Sequence, residues 1–257
     1  MTEVRLRART VSELVDAAFA LYRRDSGQYI MLMAFAIVPQ LVANLLLQPN
    51  GSFGLGRSFV TLILTLVSAF TYTMGGAAIM KFGAAVYLGE QADLEMALKG
   101  VIPKVGTIFW AGFLKGLLYI VGVLFFLVGE FYVAARFFAV TAAIVLEDAS
   151  TAEAFSRSSE LSNGRKRHIL NTLLLVWIIY ALLSGCIFFA AALFKSPVLT
   201  IVLSAVYQVV AYPVFGLTTM LLYYDCRIRS EGFDIEQMAA SIGLDPGSTP
   251  GIAGAAP

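Results

Sequence analysis

Long uncharged apolar stretches alternate with short charged segments along this chain. The uncharged stretches lie at 26–56, 58–80, 105–114, 116–129, 137–146, 169–194 and 196–224. A helix needs about 20 apolar residues to cross the hydrocarbon core of a bilayer, which is about 30 Å thick. Only Lys115 divides the third stretch from the fourth, and the fifth reaches back to Phe131 if Arg136 lies inside the bilayer. The pattern therefore predicts six transmembrane helices, near 28–48, 58–81, 104–128, 131–147, 169–194 and 197–224.

The amino-acid composition excludes an ordinary water-soluble domain. Of the 257 residues, 59% are hydrophobic and 14% are charged, and the mean hydropathy is +0.80. Soluble domains average about 25% charged residues, so a soluble core could not enclose this much apolar surface. We interpret residues 1–244 as one polytopic, all-α integral membrane domain. The segment 245–257 is rich in Gly, Pro and Ala without periodicity, which predicts a disordered cytoplasmic tail.

The basic residues are distributed unequally between the two sides of the predicted membrane domain. One side carries 14 Lys and Arg residues: five in the N-terminal segment, three in 81–104, four in 148–168 and two in the C-terminal tail. The opposite side has only Arg57 and Lys195. Cytoplasmic segments of membrane proteins are enriched in Lys and Arg, so both termini are predicted to be cytoplasmic, in a cell inner membrane or plasma membrane. Because these residues flank spans, they do not indicate a nucleic-acid partner.

Three amphipathic segments precede the odd-numbered spans. Thr10 and Glu13 form a capping box before the first, Asp93 precedes the second, and Ser150 and Glu153 precede the third. Each is predicted to be a helix lying along the membrane surface. The order of one such helix and two spans would then occur three times, as an internal repeat. The alternative is that any return of the chain to the bilayer favours a basic amphipathic elbow, without duplication.

Lys115 and Arg136 are the candidate anion-binding residues. Ionisable groups inside spans are costly and usually face a partner or water. The two residues lie in adjacent antiparallel spans at a similar depth, and no carboxylate lies in the interior of a predicted span. Glu130 is the nearest, about 9 Å of helix rise from Arg136. One interpretation is a site for a phospholipid phosphate or an anionic substrate; the other is that Arg136 extends towards the turn and Lys115 towards a hydrated crevice.

Prolines and glycines interrupt several spans. Pro39 and Pro213 lie within the first and sixth, where they could mark broken helices or simple kinks. Gly75, Gly76 and Gly83, and also the pair Gly112 and Gly116, are expected to let helices approach closely.

Catalytic chemistry is not predicted. His168 is the only histidine, and no nucleophile elbow, zinc motif or phosphate-binding loop is found in the sequence. The serines around Arg157 lack an adjacent base, so they indicate a polar helix face. We therefore expect no catalytic residue, no metal ligand and no cofactor.

The end of the sixth span is predicted to be a cytoplasmic anchor formed by Tyr223, Tyr224, Arg227 and Arg229. The two tyrosines fall at the depth of the membrane interface. In a helix, Asp225 would pair with Arg229, and Arg227 with Glu231. Gly232 would end that helix, and 233–238 would begin a short amphipathic one.

This closing segment, Leu-Leu-Tyr-Tyr-Asp-x-Arg-x-Arg-x-Glu-Gly-Phe-Asp at 221–234, resembles the C-terminal signature of the glycerophosphoryl diester phosphodiesterase membrane domain family. The opening block at 13–24 and a central block from Glu147 to Gly164 are also similar to that family, so the resemblance covers 12–240. Cys226 and Ser230 depart from its usual residues. The resemblance implies a multi-span module without the metal-dependent catalytic barrel, and it assigns no ligand residues.

These features predict a non-catalytic membrane module that binds lipid or a protein partner, for example as an accessory subunit of a membrane assembly. Besides the phospholipid membrane, its partner would be another protein or a second copy of the chain. The alternative is a transporter of an anionic or amphipathic solute that uses the same cations and the two prolines. A membrane enzyme is the third and weakest hypothesis.

Overall fold

The protein is all-helical over the residues that the structure, a computed structural model, describes: 7–46, 55–124 and 128–232. A 3-10 turn, Ile102–Lys104, joins the fourth helix to the fifth. The helices are α1 (Val11–Arg24), α2 (Ser26–Leu46), α3 (Leu55–Leu88), α4 (Leu94–Val101), α5 (Val105–Leu124), α6 (Val128–Arg136), α7 (Val140–Glu147), α8 (Thr151–Ser162), α9 (Lys166–Phe194) and α10 (Pro197–Glu231).

Six segments of the described chain are long and apolar enough to cross a membrane, which confirms the predicted fold class. They are Ser26–Leu45, Ser58–Leu88, Leu94–Val123, Gly129–Glu147, Lys166–Phe194 and Pro197–Glu231. The fourth differs from the prediction of one continuous helix, because it consists of α6 and α7 with a break at 137–139. Pro39 and Pro213 instead lie inside the continuous helices α2 and α10. The predicted tail and the segment 233–238 lie outside the described residues.

The main hydrophobic core occupies one end of the helix bundle, around the second half of α10. Leu217, Met220 and Leu222 are fully buried there, and they pack with residues of α1, α2, α3, α8 and α9. A second cluster joins α5 to α7 through Ile108 and Ile144. Interior packing therefore fixes this end of the bundle, which we call the core end.

The opposite halves of the long helices expose apolar side chains. Phe59 on α3, Phe189 on α9 and Val206 on α10 are 63%, 72% and 56% exposed. Monomeric soluble proteins rarely expose contiguous apolar patches beyond a few hundred Å². These surfaces match the lipid-facing sides of membrane helices, since hydrocarbon chains need no polar partner.

The three predicted amphipathic helices are present as α1, α4 and α8. The side chains of Thr10, Asp93 and Ser150 accept hydrogen bonds from backbone N–H groups in the first turns, and Thr10 and Ser150 form complete capping boxes. Helices α1 and α8 each precede two apolar segments, as predicted, and α4 forms the start of the third.

The apolar faces of α1 and α8 are covered by protein, while their predicted position along the membrane surface stays a prediction. In α1, Leu14, Val15 and Ala18 are buried, and the helix packs against α9 and α10. In α8, Ala154 and Leu161 are buried, and the helix packs against α7. The sequence shows that such a face is apolar, but only the fold determines what covers it.

The glycines fulfil the close-packing prediction in part. A Cβ atom at Gly75 would lie 2.6 Å from Cβ of Ala36, so α2 and α3 can approach there only because Gly75 has no side chain. Gly83 is similarly close to Leu217 of α10. The prediction is wrong for Gly112 and Gly116, beside which a Cβ atom would meet nothing within 4 Å.

Candidate functional site

The break in the fourth span is stabilised by one serine of α8. Helix α6 ends at Arg136 and α7 begins at Val140. The N–H of Phe137 still donates to the carbonyl of Val133 at 2.9 Å, and the regular helical pattern is interrupted after it. The hydroxyl of Ser158, which is fully buried, accepts a hydrogen bond from the N–H of Ala139 at 3.0 Å. It also donates to the carbonyl of Arg136 at 2.9 Å. Ser158 thus satisfies a donor and an acceptor that the break would otherwise leave unpaired in the interior.

The break directs the Arg136 side chain towards α8. Its Nε donates to the Ser159 hydroxyl at 3.0 Å, and its Nη1 donates to the Tyr132 hydroxyl at 2.7 Å. The guanidinium carbon also lies 5.8 Å from the centre of the Tyr132 ring and 5.6 Å from that of Phe137. These neutral contacts orient the cation without neutralising it.

Lys166, the first residue of α9, brings a second cation to the same place. Its Nζ lies 4.4 Å from the centre of the Tyr132 ring. Between the two cations is an open groove with a volume of about 550 Å³. The groove is lined by Arg136, Phe137, Phe155, Ser156, Ser159, Glu160, Asn163 and Lys166. We call it the α8 groove, because most of its lining residues come from α8 and its C-cap.

The α8 groove has an excess of positive charge. Within the described ranges, no carboxylate lies within 4.0 Å of a nitrogen of Arg136 or Lys166 to form an ion pair. Glu160 is the one acidic residue of the lining, and its Oε1 accepts a hydrogen bond from Ser156 at 3.1 Å. The arrangement can therefore receive an anion at Arg136 and Lys166.

Lys115 does not line the α8 groove. Its Nζ lies 6.0 Å from the centre of the Tyr119 ring, one turn along α5. The pairing of Lys115 with Arg136 in one anion site thus stays a prediction, and the structure instead brings Lys166 next to Arg136. Glu130, considered from the sequence as a partner of Arg136, forms no ion pair with it in the described part of the chain.

The tyrosines of the predicted anchor lie inside the protein. Tyr223 is fully buried and Tyr224 is 4% exposed. The ring of Tyr224 packs against Tyr87 with centroids 5.6 Å apart, and Arg227 lies over the Tyr223 ring. Their rings therefore contact protein rather than lipid headgroups, because α10 is surrounded by other helices at the core end.

Arg227 belongs to an ion network that joins α7, α8 and α10. Its Nε lies 3.1 Å from Glu231, which confirms the predicted pair, and 3.5 Å from Glu147. Arg157 of α8 donates to both oxygens of Glu147 at 2.9 and 3.0 Å and also pairs with Glu231. Glu231 and then Glu147 raise the pKa of the Arg157 guanidinium above its usual value. This network holds α8 in register beside α7.

Arg229 belongs to a second network, around Asp225, that attaches the N-terminal segment to α10. Arg229 donates to the Asp225 carboxylate at 2.7 Å, which confirms the other predicted pair. The N–H of Arg9 donates to the same carboxylate at 2.6 Å, and His168 lies 3.0 Å from it. Asp225 is 2% exposed, so these contacts compensate for its burial.

A third set of charges lies at the end of α7. Lys104 pairs with Asp148, and its Nζ donates to the carbonyl of Val145 at 3.1 Å. The hydrogen bond from Lys104 lowers the pKa of the Asp148 carboxyl below its usual value. Cations near the last carbonyls of a helix are favourable, so this set stabilises the C-terminus of α7.

Sequence reasoning identified Arg136 but missed Lys166, Ser158 and Ser159. A signal was present, since the serines around Arg157 were recognised as a polar face, yet nothing in the sequence indicated that this face meets the broken span. Within the described residues, no group of three or more His, Cys, Asp or Glu side chains is arranged to hold a metal ion.

Comparison with known proteins adds no assignment, since no family model, curated protein or solved structure matches this chain. The resemblance to the glycerophosphoryl diester phosphodiesterase membrane domain family stays a prediction that depends on the residues quoted for it.

Proposed function

We propose that this protein is a non-catalytic membrane module that binds the phosphate of a phospholipid headgroup in the α8 groove. The observation that carries the proposal is the pair of cations, Arg136 and Lys166, which face one groove without an ion-paired carboxylate in the described chain. Charge-assisted hydrogen bonds to phosphate are among the strongest in proteins, and each contributes about 1.5–3 kcal/mol. A phosphate would satisfy the donors that Ser159 and Tyr132 leave unused on Arg136.

The length of α9 supports a position of the groove at headgroup level. The helix has 29 residues and is therefore about 43 Å long at a rise of 1.5 Å per residue. A hydrocarbon core is about 30 Å thick, so the ends of α9 extend into the headgroup layers. Lys166 is the first residue of this helix, which supports a groove at the depth of phospholipid phosphates.

We also propose that the core end faces the cytoplasm, with both termini on that side. The 14-to-2 distribution of basic residues supports this orientation. Single cysteines at Asn163 and Lys195, in a chain lacking Cys186 and Cys226, test it by labelling with a membrane-impermeant maleimide. Asn163 should react only after the membrane is opened in right-side-out vesicles, and Lys195 before. The reverse order of labelling would refute the orientation.

The binding proposal is tested by native mass spectrometry of the purified protein titrated with mixed phospholipids. Replacing Arg136 and Lys166 with Met should weaken phospholipid binding at least about tenfold, since each lost contact to phosphate corresponds to tenfold or more in affinity. The matched control replaces Arg23 and Arg167 with Met, which removes the same charge from exposed positions outside the groove. Equal binding by both double variants would refute the site, and Lys115→Met alone shows whether that residue contributes.

A transporter of an anionic or amphipathic solute is the second candidate, favoured by the break in the fourth span. Discontinuous helices form the binding sites of many transporters, where free backbone groups meet the solute. In this chain Ser158 occupies those backbone groups at Arg136 and Ala139, which is why we place lipid binding first. Uptake of a phosphorylated amphiphile into proteoliposomes, lost in the Arg136→Met variant, would favour transport instead.

A further inference from the structure

We infer that the α8 groove selects a zwitterionic headgroup, one that carries a primary ammonium beside its phosphate, as phosphatidylethanolamine does. The inference rests on the proposed phosphate site and adds a second subsite at Glu160. Its basis is the presence of both charge signs on the groove wall, in positions where they do not neutralise each other.

Glu160 lies on the same face of α8 as Ser159, which accepts a hydrogen bond from Arg136. One side of α8 is formed by Ser156, Ser159, Glu160 and Asn163. They occupy positions i, i+3, i+4 and i+7, which lie on one face of a helix. Ser159 at this face orients Arg136, and Glu160 and Asn163 line the same opening. The anion and cation subsites are thus adjacent on one rigid element.

The carboxylate of Glu160 keeps acceptor positions that no side-chain donor of the described chain occupies. Its Oε1 accepts one hydrogen bond from Ser156, and neither Arg136 nor Lys166 lies within 4.0 Å of it, although all three line the groove. A carboxylate offers about four acceptor positions, so capacity for an ammonium group remains. A ligand with a phosphate and no cation would place a second negative charge near the Glu160 carboxylate, which is unfavourable.

The chemistry distinguishes a primary ammonium from the alternatives. A primary ammonium donates three hydrogen bonds, so it can bind the Glu160 carboxylate and the Asn163 side-chain oxygen together. A quaternary ammonium donates none, and a glycerol headgroup has no positive charge. Aromatic rings also bind quaternary ammonium ions, but Phe137 and Phe155 pack edge to face on each other at 5.0 Å and do not form an open cage.

The test measures headgroup preference with the full-length protein in native mass spectrometry. Wild type is titrated with equimolar phosphatidylethanolamine, phosphatidylglycerol and phosphatidylcholine of identical acyl chains. We expect phosphatidylethanolamine to be preferred by about tenfold over each of the others, the value of one charge-assisted hydrogen bond. Glu160→Gln should abolish the preference and leave the binding of phosphatidylglycerol and phosphatidylcholine within twofold, whereas Glu95→Gln, an exposed site on α4, should keep the preference.

The outcomes separate this inference from the proposed function. Binding that depends on Arg136 and Lys166 but shows no headgroup preference, or a preference unchanged by Glu160→Gln, refutes the inference alone. Binding that is indifferent to both cations refutes the proposed function as well. Soluble O-phosphoethanolamine shares the headgroup chemistry, and its binding as tightly as the lipid would refute a lipid source. A preference for phosphatidylcholine would refute the primary-ammonium subsite.

Discussion

Replacement of Ser158 with Ala should destabilise the protein through the break in the fourth span. The Ser158 hydroxyl is the only side-chain group that hydrogen-bonds both the N–H of Ala139 and the carbonyl of Arg136 in the described structure. Ala139 and Ser158 are both fully buried. Alanine keeps the helix propensity of α8 and leaves a cavity of only one oxygen atom, so the principal effect is the loss of two hydrogen bonds.

The size of the effect follows from the burial of the two backbone groups. Leaving a buried donor or acceptor without a partner costs about 1–3 kcal/mol. Because the backbone at the break can relax or admit water once the hydroxyl is removed, we expect a total of about 2–4 kcal/mol rather than the sum of two full penalties. For a chain of this size 1 kcal/mol shifts Tm by about 2–4 °C. The expected decrease in Tm is therefore about 4–16 °C.

The assay is thermal unfolding of the detergent-solubilised protein, with SDS-induced unfolding as an equilibrium measurement. Ser156→Ala is the matched control, because Ser156 is exposed on the same helix and bonds only Glu160. The control should change Tm by less than about 2 °C, as surface substitutions usually change stability by less than 0.5 kcal/mol. If Ser158→Ala unfolds within error of Ser156→Ala, the backbone at the break does not depend on Ser158 and this reasoning is wrong.

Two further predictions concern helix packing and the N-terminal cap. Gly75→Ala should destabilise the protein by about 1–3 kcal/mol, because its Cβ would overlap Ala36. Gly112→Ala should be neutral or stabilising by up to about 1 kcal/mol, since its surroundings are open. The opposite order of the two variants in SDS unfolding would contradict the packing of α2 on α3. The second prediction concerns pH. Hydrogen bonds from Arg7 and from the backbone and hydroxyl of Thr10 lower the pKa of Glu13 from 4.5 to about 2. The stability difference between wild type and Glu13→Gln should therefore be constant above pH 4.5 and disappear as the pH falls towards 2. A difference that does not change over this range would contradict the capping contribution of the carboxylate.

Local interactions explain why much of the fold could be predicted from the sequence. Capping boxes and i,i+4 pairs involve residues three or four apart, so Thr10 with Glu13 and Arg227 with Glu231 form wherever their helices form. The six apolar segments are equally local, since length and composition alone decide whether a helix can cross a bilayer.

The candidate site could be predicted only in part, because its residues are far apart in the chain. Arg136 was identifiable as a charge within an apolar segment. Ser159, which accepts its hydrogen bond, and Lys166, which lines the same groove, are 23 and 30 positions away in two other helices. In the sequence Ser159 belongs to an ordinary polar helix face, and Lys166 belongs to a basic segment before a span. Lys115 was expected beside Arg136 because the sequence gives the depth of each residue in its span but not the direction in which its side chain points.

The membrane class, the number of apolar segments, the caps and the unequal distribution of basic residues could all be predicted from the sequence. Each depends on composition or on neighbours along one helix, and these do not change with the arrangement of the helices. Tertiary structure alone decided that α1 and α8 cover the core end, that the fourth span breaks at 137–139, and that Lys166 joins Arg136 in the α8 groove. Those features depend on which faces meet, and a buried serine such as Ser158 acquires its role only when another helix presents unpaired backbone groups to it.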